Sequence, residues 1–201
     1  LAEMARLTDK AEKEGGKYEV LLPAIKAMEQ DYKTWYKNEE YASMCGISKF
    51  HFIHLFTECK GCSPSKYKSG ILMQKAAEML FAVIKNKPNC VLGLATGSTP
   101  EGLYANLVDL YKKGELDFSK VSSVNLDEYY PISPDNDQSY RYFMNHHLFD
   151  HVNIDKKNTH VPNGLAKDAE AACKAHEDTI DRLGGMDIQV LGIGQNRSVL
   201  R

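Results

Sequence analysis

Cys90-Val-Leu-Gly-Leu-Ala-Thr-Gly-Ser-Thr-Pro-Glu-Gly-Leu-Tyr104 is the stretch of this chain that decides its fold. Its first half is a short, continuous apolar run, which is typical of a strand covered on both faces in a parallel sheet. Gly97, Ser98 and Thr99 then predict a tight turn. Pro100 suits the first helical position because its missing N–H would be unpaired there. The stretch therefore predicts a strand, a loop and a helix in that order.

The loop of this unit is suited to binding an anion. Unpaired N–H groups at a helix entrance lie at the positive end of the helix dipole, so they attract a phosphate or a carboxylate. The residues match neither the Gly-x-Gly-x-x-Gly pattern nor the P-loop pattern, so a dinucleotide or a nucleoside triphosphate is a poor first hypothesis. An ordinary strand-to-helix connection with a Ser or Thr N-cap is an equally good interpretation of these residues alone.

Strand and helix patterns alternate after this unit, which favours an α/β fold with a parallel sheet. The second apolar run, residues 121–126, leads into Asp127 and Glu128, and a later run, residues 186–194, leads into Asn196. Because ligands bind outside the carboxyl ends of parallel strands, we expect these side chains at the same edge as the loop. A carboxylate there can act as a general base, although both acids could equally be solvated loop residues.

Composition bounds the classes of function. The chain has 201 residues, 43% of them hydrophobic, and a net charge of −2, which is normal for a globular protein and indicates no polyanionic partner for the whole chain. Neither a membrane span nor a signal peptide is evident, and the five cysteines, irregularly placed, favour a reducing cytoplasm. No metal or other cofactor is predicted, because the Cys59-x-x-Cys62 pair lacks a second ligand pair.

The first part of the chain reads differently, as helices without strands. Residues 1–19 predict a helix remnant and a linker, and residues 20–36 predict one amphipathic helix. Asn38 is the expected N-cap of a short helix, and Ser48 that of a second helix after a turn containing Gly46. Two short helices joined in this way form a helix-turn-helix, whose second helix can lie in the major groove of DNA.

The expected second helix separates apolar from polar side chains. If Phe52, Leu55 and Phe56 face the core, then three polar residues are left on the outer surface to contact phosphates or base edges: Lys49, His51 and His54. A helical hairpin that contacts no DNA has the same spacing.

The predicted helix-turn-helix has the sequence Glu40-Tyr-Ala-Ser-Met-Cys-Gly-Ile-Ser-Lys-Phe-His-Phe-Ile-His-Leu-Phe56, and Gly61-Cys-Ser-Pro-Ser-Lys-Tyr67 follows it. These two segments resemble the first helix-turn-helix of AraC-type transcriptional regulators. That family pairs two such motifs, and only the first is visible here, within about residues 20–75. The resemblance implies weak DNA binding through residues 39–59, because DNA affinity comes from several phosphate contacts acting together.

The second part of the chain contains five sequence blocks in a fixed order: Leu92-Gly-Leu-Ala-Thr-Gly-Ser-Thr-Pro100, Asn125-Leu-Asp-Glu-Tyr129, Gln138-Ser-Tyr140, Pro162-Asn-Gly164 and Leu191-Gly-Ile-Gly-Gln-Asn196. With these blocks, about residues 73–196 resemble the N-terminal half of glucosamine-6-phosphate deaminases. The resemblance implies conversion of a phosphorylated amino sugar, glucosamine 6-phosphate, to fructose 6-phosphate and ammonia, without a redox cofactor or a required metal. It also implies that intact members are often oligomers.

The resemblance also implies roles for single residues. Asp127 would move the proton between C2 and C1, Glu128 would orient the loop, and Asn196 would assist ring opening. The sugar phosphate would be held by Gly97, Ser98 and Thr99. The family pattern continues after the Asn with Gly-His-Ile-Gly-Phe-Asn-Glu-Pro, which supplies a ring-opening His and Glu, whereas this sequence reads Arg197-Ser-Val-Leu-Arg201. We therefore expect impaired deaminase activity.

The expected organisation is an all-α helix-turn-helix segment, residues 20–75, followed by an incomplete Rossmann-like parallel sheet with flanking helices, residues 76–201. The leading functional hypothesis is an aminosugar-phosphate deaminase/isomerase-like protein, expected to be a truncated fusion. The alternative is an AraC-type DNA-binding transcription regulator with a sugar-phosphate-sensing domain. A phosphosugar lactonase is disfavoured, because Asn125-Leu-Asp-Glu-Tyr129 fits the deaminases better.

Overall fold

The computed structural model describes residues 16–191 of the chain. They divide into two compact units, of which the first ends at Met73 and the second begins at Gln74. The domain limits predicted from the sequence, 1–19, 20–75 and 76–201, stay predictions. None of the helices among the described residues is long and apolar enough to cross a lipid bilayer.

The first unit is helical. A short 3-10 turn, Glu19–Leu21, precedes helix α1 (Leu22–Gln30), and α2 (Asn38–Met44) and α3 (Lys49–Lys60) follow. Helix α4 (Pro64–Asn86) begins in this unit and continues beyond Met73. The core is mainly aromatic and aliphatic, and α3 contributes Phe52, Leu55 and Phe56 to it, as predicted.

The single helix predicted for residues 20–36 is wrong, because α1 ends at Gln30. The amine of Lys68, whose side chain is only 2% exposed, donates hydrogen bonds to the carbonyls of Met28 and Asp31 at 3.2 and 3.0 Å. The Asp31 carboxylate accepts hydrogen bonds from the hydroxyls of Thr34 and Tyr36, both at 2.8 Å. These side-chain hydrogen bonds stabilise a turn in place of further helix.

Of the two N-caps predicted for the next helices, Asn38 is wrong and Ser48 is confirmed. Asn38 is already helical, so it is not the N-cap of α2, and Glu40 instead accepts the N–H of Lys37 at 2.6 Å. Ser48 is the N-cap of α3, as predicted, because its hydroxyl accepts the N–H of His51 at 3.3 Å. Gly46 lies in the turn between the helices with a φ of +65°, a conformation that favours glycine.

The second unit is an α/β layer structure around a four-stranded parallel sheet. Its strands are β1 (Val91–Leu94), β2 (Ser122–Asn125), β3 (Thr159–His160) and β4 (Ile188–Gln189), in the order β3-β2-β1-β4. All four residues of β1 are buried, which confirms the prediction of a strand covered on both faces. The helices are α5 (Glu101–Lys112), α6 (Tyr140–Met144) and α7 (Ala169–Arg182).

Two of these helices have well-defined ends, and one predicted strand is shorter in the structure. Helix α6 is followed by a π-helical turn, Asn145–Phe149. Helix α7 begins at Ala169, because the Asp168 carboxylate caps it by accepting the N–H of Ala171 at 3.0 Å. The strand predicted for residues 186–194 is paired at Ile188–Gln189, and its predicted end lies outside the described residues.

Candidate functional site

The loop after β1 presents free backbone donors. Gly97, Ser98 and Thr99 are exposed, and within residues 16–191 no hydrogen bond occupies their N–H groups. Gly97 has a φ of +104°, which an L side chain would oppose. Pro100 was predicted as the first residue of the helix, but it is the N-cap of α5 and makes no side-chain cap hydrogen bond. The alternative interpretation, a Ser or Thr N-cap, is therefore wrong.

Asp127 follows β2 at the same edge of the sheet. Leu94 and Asn125, the last residues of β1 and β2, are register partners, so both chains leave the sheet side by side. The side-chain amide of Asn125, only 1% exposed, donates to the Leu94 carbonyl at 2.8 Å. Burial, and next the charge of Glu128, raise the pKa of the Asp127 carboxyl above its usual value. A raised pKa suits a carboxylate that exchanges protons near neutral pH.

The Glu128 carboxylate is occupied by donors from the start of α6. It accepts the hydroxyl of Ser139 at 2.8 Å and the N–H groups of Tyr140 and Arg141 at 2.8 and 3.0 Å. A carboxylate at a helix N-terminus is stabilised by unpaired N–H groups and by the helix dipole. Glu128 therefore attaches the segment that carries Asp127 to α6.

Tyr140 contacts the segment that follows Asp127. Its ring packs on that of Tyr129, with the centroids 4.9 Å apart. The neighbouring Tyr129, then burial and the charge of Asp127, raise the pKa of the Tyr140 hydroxyl to about 12. Sequence reasoning missed this contact, and its only signal was the block Gln138-Ser-Tyr140.

The segment after β3 closes this edge of the sheet. The Gly164 carbonyl accepts the N–H of Ile132 at 2.9 Å. A Cβ at Gly164 would lie 2.7 Å from the Ile132 carbonyl oxygen and 2.8 Å from that of Tyr129, so the two segments approach too closely for a side chain. From α7, the His176 ring hydrogen-bonds to the Asn125 carbonyl at 2.8 Å. The structure therefore brings together the tips of three strands.

The other predicted site residues lie elsewhere. Asn196 is outside the described residues. Lys49, His51 and His54 are exposed on α3 in the first unit, and the Lys49 amine forms an ion pair with Glu39 at 2.6 Å. Over the part of the chain that the structure describes, no group of three His, Cys, Asp or Glu side chains is placed to hold a metal ion.

The fold and the site define an α/β protein with an exposed loop of free N–H groups and a carboxylate at the carboxyl edge of a parallel sheet. The chain belongs to the family of glucosamine-6-phosphate isomerases/6-phosphogluconolactonase, whose model matches residues 69–197.

Curated relatives include proteins named glucosamine-6-phosphate deaminase. That of Thermoanaerobacter sp. (strain X514) is 56% identical over 125 residues, which is 62% of this chain and 49% of that protein. That of Clostridium perfringens (strain SM101 / Type A) is 59% identical over 121 residues, 60% of this chain and 50% of that protein. The chain spans about half the length of the curated relatives it matches.

Solved structures give the same result. A monomeric glucosamine-6-phosphate deaminase matches with a TM-score of 0.62 and 45% identity over 64% of this chain and 53% of that one. A 6-phosphogluconolactonase from Thermotoga maritima matches with a TM-score of 0.55 and 24% identity over 63% of this chain and 56% of that one, which supports the fold alone.

Proposed function

We propose that this chain binds glucosamine 6-phosphate and moves the proton between C2 and C1 in its conversion to fructose 6-phosphate and ammonia. The observation that carries the proposal is the shared edge of the sheet, where β1 and β2, the strands that lead into the loop of Gly97, Ser98 and Thr99 and into Asp127, end side by side. The named deaminase relatives support the same reaction, although the chain covers only about half of them.

The loop of Gly97, Ser98 and Thr99 holds the sugar phosphate in this proposal. Its N–H groups have no partner within the described part of the chain, and two hydroxyls stand beside them. The loop leads directly into α5, so the positive end of the helix dipole adds to the attraction for a dianionic phosphate. The loop itself contains no arginine or lysine, so its N–H groups and hydroxyls are the donors that it offers to the phosphate.

Asp127 is the general base in this proposal. The carboxylate removes the C2 proton of the open-chain amino sugar and returns it to C1, through an enediol-type intermediate with nitrogen at C2. This leaves an imine at C2, and water then adds to the imine carbon and releases ammonia. Its raised pKa makes the carboxylate a stronger base than an aspartate with an ordinary pKa. Glu128 orients the segment rather than reacting, because three donors of the α6 entrance hold its oxygens. Asn196 is proposed to assist ring opening by family resemblance alone.

Proton exchange tests this proposal. The purified chain is incubated with glucosamine 6-phosphate in D2O, and deuterium at C2 is followed by NMR together with ammonia release. Exchange should fall by about 10²–10⁴ in Asp127→Asn, because a positioned base contributes that much. Asp178→Asn, at an exposed acid on α7, is the matched control and should exchange like the wild type. Equal exchange in both variants would exclude Asp127 as the base.

A second candidate function concerns the first unit, which we propose to contact DNA through residues 39–59 as a helix-turn-helix of AraC type. The polar residues Lys49, His51 and His54 are exposed on α3, while the apolar side of that helix is buried. Phe50, 83% exposed on the same helix, is available for apolar contact with a thymine methyl group. The ion pair of Lys49 with Glu39 competes with a phosphate contact, so the expected affinity is weak.

Salt dependence distinguishes this candidate from a plain helical hairpin. Binding of the chain to a labelled duplex is measured by anisotropy over a range of salt concentrations. Lys49→Ala should reduce the slope of log affinity against log salt by about one, because one phosphate contact is lost. Lys66→Ala, at another exposed lysine of the same unit, should not change it. A sugar-phosphate-responsive regulator would also change its DNA affinity when glucosamine 6-phosphate is added.

A further inference from the structure

We propose that Tyr104 is a positioning residue that sets the phosphate affinity of the loop formed by Gly97, Ser98 and Thr99. The inference rests on the proposed function, since it concerns the same loop. The hydroxyl of Tyr104, on the second turn of α5, donates a hydrogen bond to the carbonyl of Ala95, which lies between β1 and the loop. The side chain touches neither Asp127 nor an expected ligand position, so its effect is indirect.

Holding the Ala95 carbonyl fixes the first peptide group of the loop. A trans peptide group is planar, and its carbonyl and N–H point in opposite directions. When the Ala95 oxygen is held toward the buried Tyr104, the N–H of Thr96 is therefore directed away from it. The orientation of this peptide sets where the following N–H groups, those of Gly97 to Thr99, can point. Without the hydroxyl, that orientation is no longer specified by a hydrogen bond.

Tyr104 itself is held firmly. Its side chain is 0% exposed, and its N–H donates to the Pro100 carbonyl at 3.0 Å. Its ring makes an edge-on contact with Phe143 of α6, with the centroids 6.4 Å apart. Glu128 binds the entrance of that same helix. One buried tyrosine thus connects the anion loop to the helix that orients the segment of Asp127.

The chain offers a matched control on the same helix. Tyr111 makes an edge-on contact with Phe118 at 6.4 Å and 69°, nearly the geometry of Tyr104 on Phe143 at 6.4 Å and 67°. Within residues 16–191, no hydrogen bond involves the Tyr111 hydroxyl. Tyr104→Phe and Tyr111→Phe remove the same atom from similar ring contacts, but only the first releases a loop carbonyl.

The test is calorimetric titration of the full chain and both variants with inorganic phosphate, glucosamine 6-phosphate and glucosamine. The stability of the same three proteins is measured by urea unfolding. Tyr104→Phe should weaken binding of both phosphate ligands by roughly three- to tenfold, as expected for one hydrogen bond, and leave glucosamine binding unchanged. Tyr111→Phe should bind like the wild type. A purely structural role would lower the unfolding midpoint without changing the affinity of the folded fraction.

Unchanged phosphate affinity in Tyr104→Phe, with the wild type binding, overturns this inference and leaves the proposed function intact. A wild type that binds neither phosphate ligand overturns both. If Tyr104→Phe does not fold, Phe143→Leu replaces it. This variant keeps the hydroxyl but loosens the ring that carries it, and unchanged phosphate affinity there contradicts the inference.

Discussion

Asn125 donates its side-chain amide to the carbonyl of Leu94, its register partner, at 2.8 Å. The bond joins the tips of β1 and β2 at the point where the proposed phosphate loop and the Asp127 segment leave the sheet. Asn125 is almost wholly buried, so solvent does not compete for this contact. This buried amide therefore adds a side-chain link to the backbone pairing of β1 and β2 at the ends of the two strands.

Asn125→Ala should separate the two strand tips. The substitution leaves the Leu94 carbonyl without its buried donor, and we expect a loss of about 1–3 kcal/mol in the free energy of unfolding. Affinity for glucosamine 6-phosphate should fall as well, because both ends of the site move. Urea unfolding and calorimetry measure the two effects, with the exposed Asn89→Ala as control. Wild-type stability in Asn125→Ala would show that the amide contributes nothing.

The pH dependence of proton exchange should report the environment of Asp127. Burial and the charge of Glu128 raise the pKa of this carboxyl, and the base acts only when ionised, so exchange should fall as the pH falls through the raised pKa. Glu128→Gln removes the second cause, lowers the pKa of Asp127 and should move the acid limb to lower pH. An acid limb that moves to higher pH would contradict this assignment of charges.

Replacement of Glu128 should loosen the start of α6. Glu128→Ala removes the acceptor of the Tyr140 and Arg141 N–H groups, and hydrogen bonds to a charged group contribute about 1.5–3 kcal/mol each before solvent screening. Hydrogen exchange of the Phe143 amide, which bonds to the Ser139 carbonyl, should become faster. Glu177→Ala, at an exposed acid of α7, is the control. Unchanged protection at Phe143 would exclude this positioning role.

A side chain at Gly164 should displace the segment that follows Asp127. The added methyl group of Gly164→Ala would lie within 2.8 Å of two backbone oxygens, those of Tyr129 and Ile132. Backbone cannot move aside as a flexible side chain can, so we expect a cost of about 1–3 kcal/mol in unfolding free energy. Gly114→Ala is the comparison, because its Cβ meets no atom within 4 Å and its cost reports only the strain of a positive φ, which Gly164 does not have. Wild-type stability in Gly164→Ala would rule out crowding.

Local signals were sufficient for the central part of the fold. The continuous apolar run predicts β1, and the loop glycine predicts the turn. Ligands bind at the carboxyl ends of parallel strands, so the sequence also predicts that Asp127 lies at the same edge of the sheet as the loop. By contrast, the end of α1 depends on Lys68, about forty residues away in sequence, whose amine binds the last carbonyls of the helix. Apolar periodicity continues past Asp31 and cannot reveal such a contact.

The sequence proposes residues for the site, and these stay predictions, but it does not reveal how the residues are connected. Asp127 and Glu128 stand out as adjacent acids after a strand, but the sequence does not reveal that residues 139–141 supply the donors for Glu128. The contact of the Tyr140 ring with that of Tyr129 depends on how the residues between them fold back. Both contacts are tertiary, so no local pattern encodes them.

The most direct measurement of the central claim is the binding footprint of glucosamine 6-phosphate on the 201-residue chain, followed by backbone amide NMR shifts. The amides of Gly97, Ser98 and Thr99 and that of Asp127 should shift together, with one dissociation constant, and inorganic phosphate alone should shift mainly the loop. Shifts confined to other parts of the chain, or different constants for the loop and Asp127, would contradict a single site at this edge of the sheet.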